Sequence, residues 1–305
     1  MAKVLRIQKE AVSPQQALEQ FLLLKRAQGL AERTIEDYRY HVTAFFKYCE
    51  GWEDVGDKIK EYMSQEIKPN TYNIRIRYLR AYFDWCVSEG CLCSNPLKGW
   101  KLRKGESRIV NIDEEILKKL LDLPDRTTFT GLRDYALILL HLDTGIRPQE
   151  ALSLTKDDVC LRQGLVNVGS ATAKTRVSRT LPILPVTAQA IGKLIAAHNE
   201  SWKTNLIFCT YEGQAMNRKT WSRRMLDYSR KLGIKIRPYD LRHSFALGYL
   251  RGNGDVFSLK SILGHTHLMM TQRYLSLTGE DIKNCHSKSS PLNTLIKAKR
   301  VKKLK

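Results

Sequence analysis

The residues of this chain best suited to chemistry cluster in two stretches. Pro238-Tyr239-Asp240-Leu241-Arg242-His243-Ser244-Phe245-Ala246 is followed by Leu263-Gly264-His265, and Tyr274 stands nine residues beyond that histidine. Upstream lies Asp143-Thr-Gly-Ile-Arg147-Pro-Gln-Glu150. Arginine carries a planar fork that grips phosphate oxygens two at a time and stays charged at every working pH. Arg147 follows a Thr-Gly turn and Arg242 lies inside an apolar helical pattern, settings unlike those of ordinary surface charges. They are the candidate phosphate clamps. Nucleophilic attack on a phosphodiester concentrates negative charge on its non-bridging oxygens, and fixed donors aimed there lower the barrier most. A tyrosine hydroxyl, with a pKa of about 10, can attack only beside a base or in a strong positive field.

Composition points to a polyanionic partner. The 305 residues hold 51 Lys+Arg against 31 Asp+Glu, a formal net charge of +20. That excess repels itself in a compact protein and suits nucleic acid first and an anionic membrane surface second. Hydrophobic content of 43% and charged content of 27% fit a soluble globular chain long enough for about two domains. The N-terminus lacks the apolar run of a signal peptide, and Tyr135–Leu142 is too short to span a bilayer. Seven cysteines without metal-ligand spacing read as reduced, mostly core-filling thiols of a cytoplasmic protein, associated with the nucleoid in a prokaryote.

Helical patterns dominate what must position these residues. Residues 13–101 form an all-helical unit after an N-terminal extension, 1–12. Ser13 caps a first helix with Pro14 at its first position and Ala17, Phe21 and Leu24 on one face. Thr34 caps a second with Ile35, Tyr38, Val42 and Phe45, a short third lies near 58–64, and a fourth begins near Thr71 with a stripe of Ile74, Tyr78, Tyr82 and Trp85. Arg75, Arg77 and Arg80 on that helix are candidate DNA contacts, as are Lys101, Arg103 and Lys104 in and beside the basic linker, 102–110. The competing reading is a solvated polar face. In residues 111–282, a helix over 133–143 ends at Gly145. β patterns then cover 165–168 and 176–183, with Lys174-Thr175 near the turn between them, before helices resume at 187–198 and 216–233. The tail, 283–305, has eight Lys/Arg and no acid, with Leu292, Leu295 and Ile296 on one helical face.

In order and spacing these boxes resemble the catalytic residues of the tyrosine recombinase (phage integrase) family. The Thr-Gly-Ile-Arg147 box, Lys174-Thr-Arg176 with Arg179 and Leu181-Pro182 downstream, the Arg242-His243 box, Leu263-Gly264-His265 and Tyr274 appear in family order over roughly residues 13–280. One position departs: Tyr239 stands where the family usually places a histidine. The resemblance implies a mainly α fold with a small antiparallel β-sheet. A SAM-like helical core-binding domain and a mixed α/β catalytic domain would form a clamp around double-stranded DNA. It further implies that Tyr274 is the nucleophile and makes a 3′-phosphotyrosine, and that the working form on DNA is a tetramer.

The same resemblance distributes roles. Arg147 and Arg242 clamp the phosphate, His243 and His265 hydrogen-bond to it, and Lys174 is the general acid for the leaving 5′ oxygen, although Arg176 or Arg179 is easily confused with it. Arg176 and Arg179 are otherwise counted as DNA contacts. Glu150 either orients Arg147 or is an ordinary acid in the first turn of a helix. Asp240 reads as a helix N-cap. Tyr239 is expected to grip the phosphate, leaving proton removal to water or His243; the other reading is a slow or degenerate enzyme. His41, His141, His198, His267 and His286 receive no role. No cofactor, metal or nucleotide is expected, because the phosphotyrosine bond conserves the energy of the cut bond. The short stretch before the first helix leads us to expect a simple two-domain recombinase without an arm-binding domain, serving integration, excision, transposition or dimer resolution. The rival readings are a type IB topoisomerase and a non-catalytic DNA-binding protein of the same fold.

Overall fold

The computed structural model describes residues 12–105, 110–169, 178–272, 274, 283, 286–287 and 289–295. Lys174, Arg176 and Ile296 lie outside the described residues. The chain divides into two compact units, Met1–Glu106 and Ser107–Lys305.

The first unit is built from α1 (Pro14–Ala27), α2 (Glu32–Phe46), α3 (Val55–Ser64) and α4 (Pro69–Ser88). Ser13 caps α1, its hydroxyl accepting from Gln16 N, and the Gln16 side chain answers by accepting from Ser13 N. The core is aromatic: Phe21, Phe45, Tyr82 and Phe83 are fully buried and meet edge to face or tilted, and Tyr82 donates to Pro14 O at 3.1 Å. Three expectations needed revision. Ala31, not Thr34, is the N-cap of α2, which starts at Glu32 and ion-pairs there with Arg26 at 2.8 Å. On α1, Leu18 and Leu22 are buried while Leu24 is exposed. The buried stripe of α4 is Tyr72, Ile76, Leu79, Tyr82, Phe83 and Cys86, and Ile74 is exposed. On so aromatic a helix two faces look apolar in sequence, and packing chooses between them.

The same unit gives two of the candidate DNA contacts internal partners. Arg75 donates to Tyr62 O and to Gln65 Oε1 and lies 4.1 Å over the Tyr62 ring. Arg80 donates to the carbonyls of Leu97 and Trp100 and so ties α4 to the segment that follows it. Both arginines thus tie segments of the unit together. Arg77, Lys101, Arg103 and Lys104 are exposed, although Arg103 stacks on Tyr72 at 3.8 Å.

The second unit centres on α6 (Phe129–Thr144), which packs against α8 (Pro185–Ala196) and α10 (Pro238–Arg251). Around them stand α5 (Glu114–Asp122), α7 (Pro148–Leu152) and α9 (Arg218–Leu232). Three strands, β1 (Val159–Cys160), β2 (Leu165–Val168) and β3 (Arg179–Pro182), form an antiparallel sheet in that order, with Val166 facing Leu181 and Val168 facing Arg179. Val166, Val168 and Leu181 point into a core that includes Leu137, Leu140, Ile191, Phe208 and Trp221. Next come α11 (Val256–Leu263), α12 (Met269–Gln272) and a one-turn α13 (Leu292–Leu295), on which Leu292 and Leu295 are exposed. Of the described cysteines, Cys49, Cys86 and Cys209 are buried, Cys91 and Cys160 are half-buried and Cys93 is exposed, so fewer fill cores than the composition suggested.

Candidate active site

Two glycines frame the site. Gly145 ends α6 and Gly264 ends α11, each in the left-handed conformation with φ of 60° and 62°. A Cβ at Gly145 would lie 2.4 Å from the Phe245 ring, so only glycine fits there. The two turns release backbone carbonyls toward each other's arginine. Gly145 O accepts from Arg242 Nη1 at 2.6 Å, and Gly264 O accepts from Arg147 Nη2 at 3.1 Å. Leu263 O accepts from Arg242 Nη2 at 2.8 Å. Burial and the neighbouring Arg147 push the Arg242 guanidinium down to about 10, which still leaves it charged at neutral pH.

Glu150 joins Arg147 to the sheet. Arg147 is the N-cap of α7, and Glu150, three residues on, accepts from both its backbone N (3.1 Å) and its guanidinium (2.9 Å). Arg179 of β3 reaches the same carboxylate at 2.5 Å. Burial raises the Glu150 carboxyl, but the hydrogen bonds and charges of Arg179 and then Arg147 outweigh it, and the carboxyl sits below the usual range. Both readings of Glu150 therefore hold, since it occupies the first turn of α7 and also holds the Arg147 guanidinium.

The histidines divide their work. His265 Nε2 lies 3.1 Å from Arg242 Nη2, which can only donate, so Nε2 accepts there and Nδ1 carries the proton toward Thr271 Oγ1 at 2.9 Å. His243 Nδ1 lies 2.8 Å from the Tyr274 hydroxyl. Tyr274 is only 3% exposed and packs with Ala246, Leu259 and Leu263 between α10 and α11. The structure thus brings Arg147, Glu150, Arg242, His243, His265 and Tyr274 together: three hydrogen-bonded groups, Arg147 with Glu150, Arg242 with His265 and His243 with Tyr274, with Arg147, Glu150 and Tyr274 all within electrostatic reach of Arg242.

The other expected residues stand at the edge of this cluster or turn to other partners. Tyr239 is 41% exposed, lines a surface groove of about 560 Å³ with Pro148, Arg218, Lys235 and Arg237, and lies near enough to Arg242 to act on its charge. Asp240 is not the N-cap of α10: Arg237 holds that position, and Asp240 sits three residues later, accepting from Arg237 N at 2.8 Å. The helix begins at Pro238 because proline suits a first turn, which moves the cap one turn upstream of the acid. Arg179, grouped with the DNA contacts, instead directs its guanidinium to Glu150 and to Ile262 O. Sequence reasoning missed Thr271, fully buried against His265, and the paired glycine carbonyls. The left-handed glycine after each helix was the available signal for the carbonyls, whereas nothing in the sequence marks Thr271.

Known proteins extend this geometry. Residues 111–280 match the model of the phage integrase family. Tyrosine recombinase XerD of Vibrio cholerae serotype O1 is 30% identical over 301 residues, 92% of this chain and 99% of the relative. The Tn1549 transposon integrase, solved with a circular intermediate DNA, superposes with a TM-score of 0.73 at 16% identity, covering 89% of this chain and 99% of that one. A lambda integrase tetramer bound to a Holliday junction gives a TM-score of 0.70 at 19% identity over 88% of this chain and 82% of its own.

Proposed function

Because the chain belongs to the phage integrase family, we propose that it is a site-specific DNA recombinase that cuts and rejoins duplex DNA through a 3′-phosphotyrosine. The contact between His243 and the Tyr274 hydroxyl carries the reading, because it pairs the expected nucleophile with a base. With its proton on Nε2, His243 accepts the phenol proton at Nδ1 as the Tyr274 oxygen bonds to phosphorus. The bond from phosphorus to the 5′ oxygen breaks, and Lys174 is the candidate donor of the proton that oxygen takes up. Arg147 and Arg242 face the charge that develops on the non-bridging oxygens, and His265 holds the Arg242 guanidinium in place through Nε2.

The freed 5′ hydroxyl then attacks a second phosphotyrosine, which returns the energy of the first bond without a nucleotide cofactor. Strand exchange needs more than one protomer, and multimers on duplex DNA fit the likeness to the lambda integrase tetramer. Tyr239 can donate a hydrogen bond to the DNA backbone but is a poor base at neutral pH, so proton removal falls to His243. None of the relatives described above is a topoisomerase or a non-catalytic binder, and neither rival reading draws support from them.

A nicked suicide duplex carrying the DNA flanking the gene tests this reading. The wild-type protein is expected to become covalently attached to the duplex, and Tyr274→Phe is expected not to. Absence of a covalent band with wild type would overturn the enzyme, and a band that survives Tyr274→Phe would overturn the nucleophile.

A further inference from the structure

We propose that Arg179 is a positioning residue that sets Arg147 against the scissile phosphate and seats the turn that carries His265, an inference that rests on the recombinase reading above. Its side chain is 8% exposed, and all three of its guanidinium nitrogens are engaged. Nη2 and Nη1 take the two oxygens of Glu150 at 2.5 and 3.3 Å, and Nε donates to Ile262 O at 2.9 Å. Glu150 in turn holds Arg147, whose second nitrogen donates to Gly264 O. The contacts close a ring: Arg179 to Glu150, Glu150 to Arg147, Arg147 to the end of α11, and the end of α11 back to Arg179. His265 is the next residue of that ring's chain.

The packing at Gly264 supports a fitted seat. Gly264 has φ +62°, and a Cβ there would meet Arg179 Nη1, Cδ and Cζ at 3.1–3.2 Å. The turn that presents His265 is therefore shaped around the Arg179 side chain. Charge argues the same way. Glu150 is 1% exposed and faces two guanidinium groups. Without Arg179 the carboxylate would hold Arg147 alone and draw its charge away from the phosphate. The Ile262–Gly264 turn would at the same time lose its tether. Lysine does not replace this function, because one ammonium cannot present a planar fork to two carboxylate oxygens and a carbonyl together.

The test measures covalent adduct formation in single turnover at saturating DNA for wild type, Arg179→Met and Arg179→Lys. Each protein is assayed on the ordinary duplex and on one with a neutral methylphosphonate at the scissile position. On the ordinary duplex the expected rates are about 100-fold lower for Arg179→Met and about 10-fold lower for Arg179→Lys, with DNA affinity held within about three-fold. On the neutral duplex both deficits should shrink to a few-fold, because less charge then needs the clamp. A purely structural loss would be the same on both substrates. Should Arg179→Met fail to fold, the Lys variant carries the test by itself. Rates within two-fold of wild type on the ordinary duplex, or deficits of equal size on both substrates, would refute the positioning role. If wild type forms no adduct at all, the recombinase reading falls and takes this inference with it.

Discussion

A buried acid clasped by two arginines stands near each end of α6, Asp134 on the helix itself and Glu150 on α7 just beyond it, and the two clusters are put to different use. Near its start, Asp134 accepts from Arg133 at 2.8 Å, from Arg224 at 2.6 Å and from the Tyr228 hydroxyl at 2.8 Å, while Arg133 also donates to Cys209 O. Just past its end, Glu150 accepts from Arg147 and Arg179. Asp134 and Thr144 are ten residues apart, about 15 Å along the helix axis at the usual rise. Each cluster holds an acid between two arginines within one fold. The cluster around Asp134 binds α6, α9 and the segment around Cys209 to one another. The cluster around Glu150 lies within electrostatic reach of Arg242, so a third cation stands near the two on the carboxylate, beside a buried tyrosine and two histidines. A buried Arg–acid–Arg cluster therefore does not by itself mark a site. On the function proposed above, excess positive charge converging on Tyr274 does.

The strongest way to break this contrast uses the two phenols. Tyr274→Phe is expected to abolish covalent adduct formation, whereas Tyr228→Phe, which removes the hydroxyl from the Asp134 cluster, should leave the rate per folded molecule within about three-fold. Both are read on the suicide duplex, and comparable rates for the two variants would erase the distinction. Next in size are the arginines. Arg147→Gln and Arg242→Gln should each slow adduct formation about 10²–10³-fold with far less effect on DNA affinity. Arg224→Gln should leave the rate almost unchanged.

Stability inverts the ranking. Asp134→Ala strands two guanidinium groups, one of them partly exposed, and should destabilise the second unit by about 3 kcal/mol in denaturant unfolding. A loss below about 1 kcal/mol would mean that the cluster does not hold that end of the fold.

The last expected effect comes from His141, which lies on α6 between Asp134 and the helix end and acts only on stability against pH. Burial pushes its imidazole from 6.5 down to about 4, and it stays neutral when folded. The unfolded chain takes up a proton that the folded one refuses, so stability should fall as pH drops from about 6.5 to 4, by no more than about 3 kcal/mol. The contribution of Glu150 has the opposite origin. It is present above the ordinary carboxylate range and is lost only as pH falls below it. His141→Leu should flatten the upper part of the acid limb and spare the lower. A profile unchanged by that substitution would place the upper limb with another group.

Much of the candidate site was legible in one dimension because its members have short-range signatures. Arg147 follows a helix-ending glycine, Arg242 and His243 are adjacent on one helix, and His265 follows another glycine turn. Their order and spacing were enough to name the family. The extended DNA-contact set was less legible, because an arginine has one appearance in sequence and two fates in a fold. Arg75 and Arg80 found backbone carbonyls and Arg179 found a carboxylate, and none of these partners is near it in the chain.

The sequence by itself determined the helical character of both units, the presence and order of the reactive residues, and a charge suited to a polyanion, because periodicity, caps and composition are local properties. The tertiary structure alone decided which histidine meets Tyr274, that Arg179 serves Glu150, and that His265 turns its Nδ1 to Thr271. Those assignments depend on contacts between residues that are 31, 29 and 6 positions apart. Even the shortest of them runs from the α11 end-turn to a different helix. Hydrogen bonds form between atoms that packing brings within about 3 Å, and no periodicity in a chain encodes which distant atoms those will be.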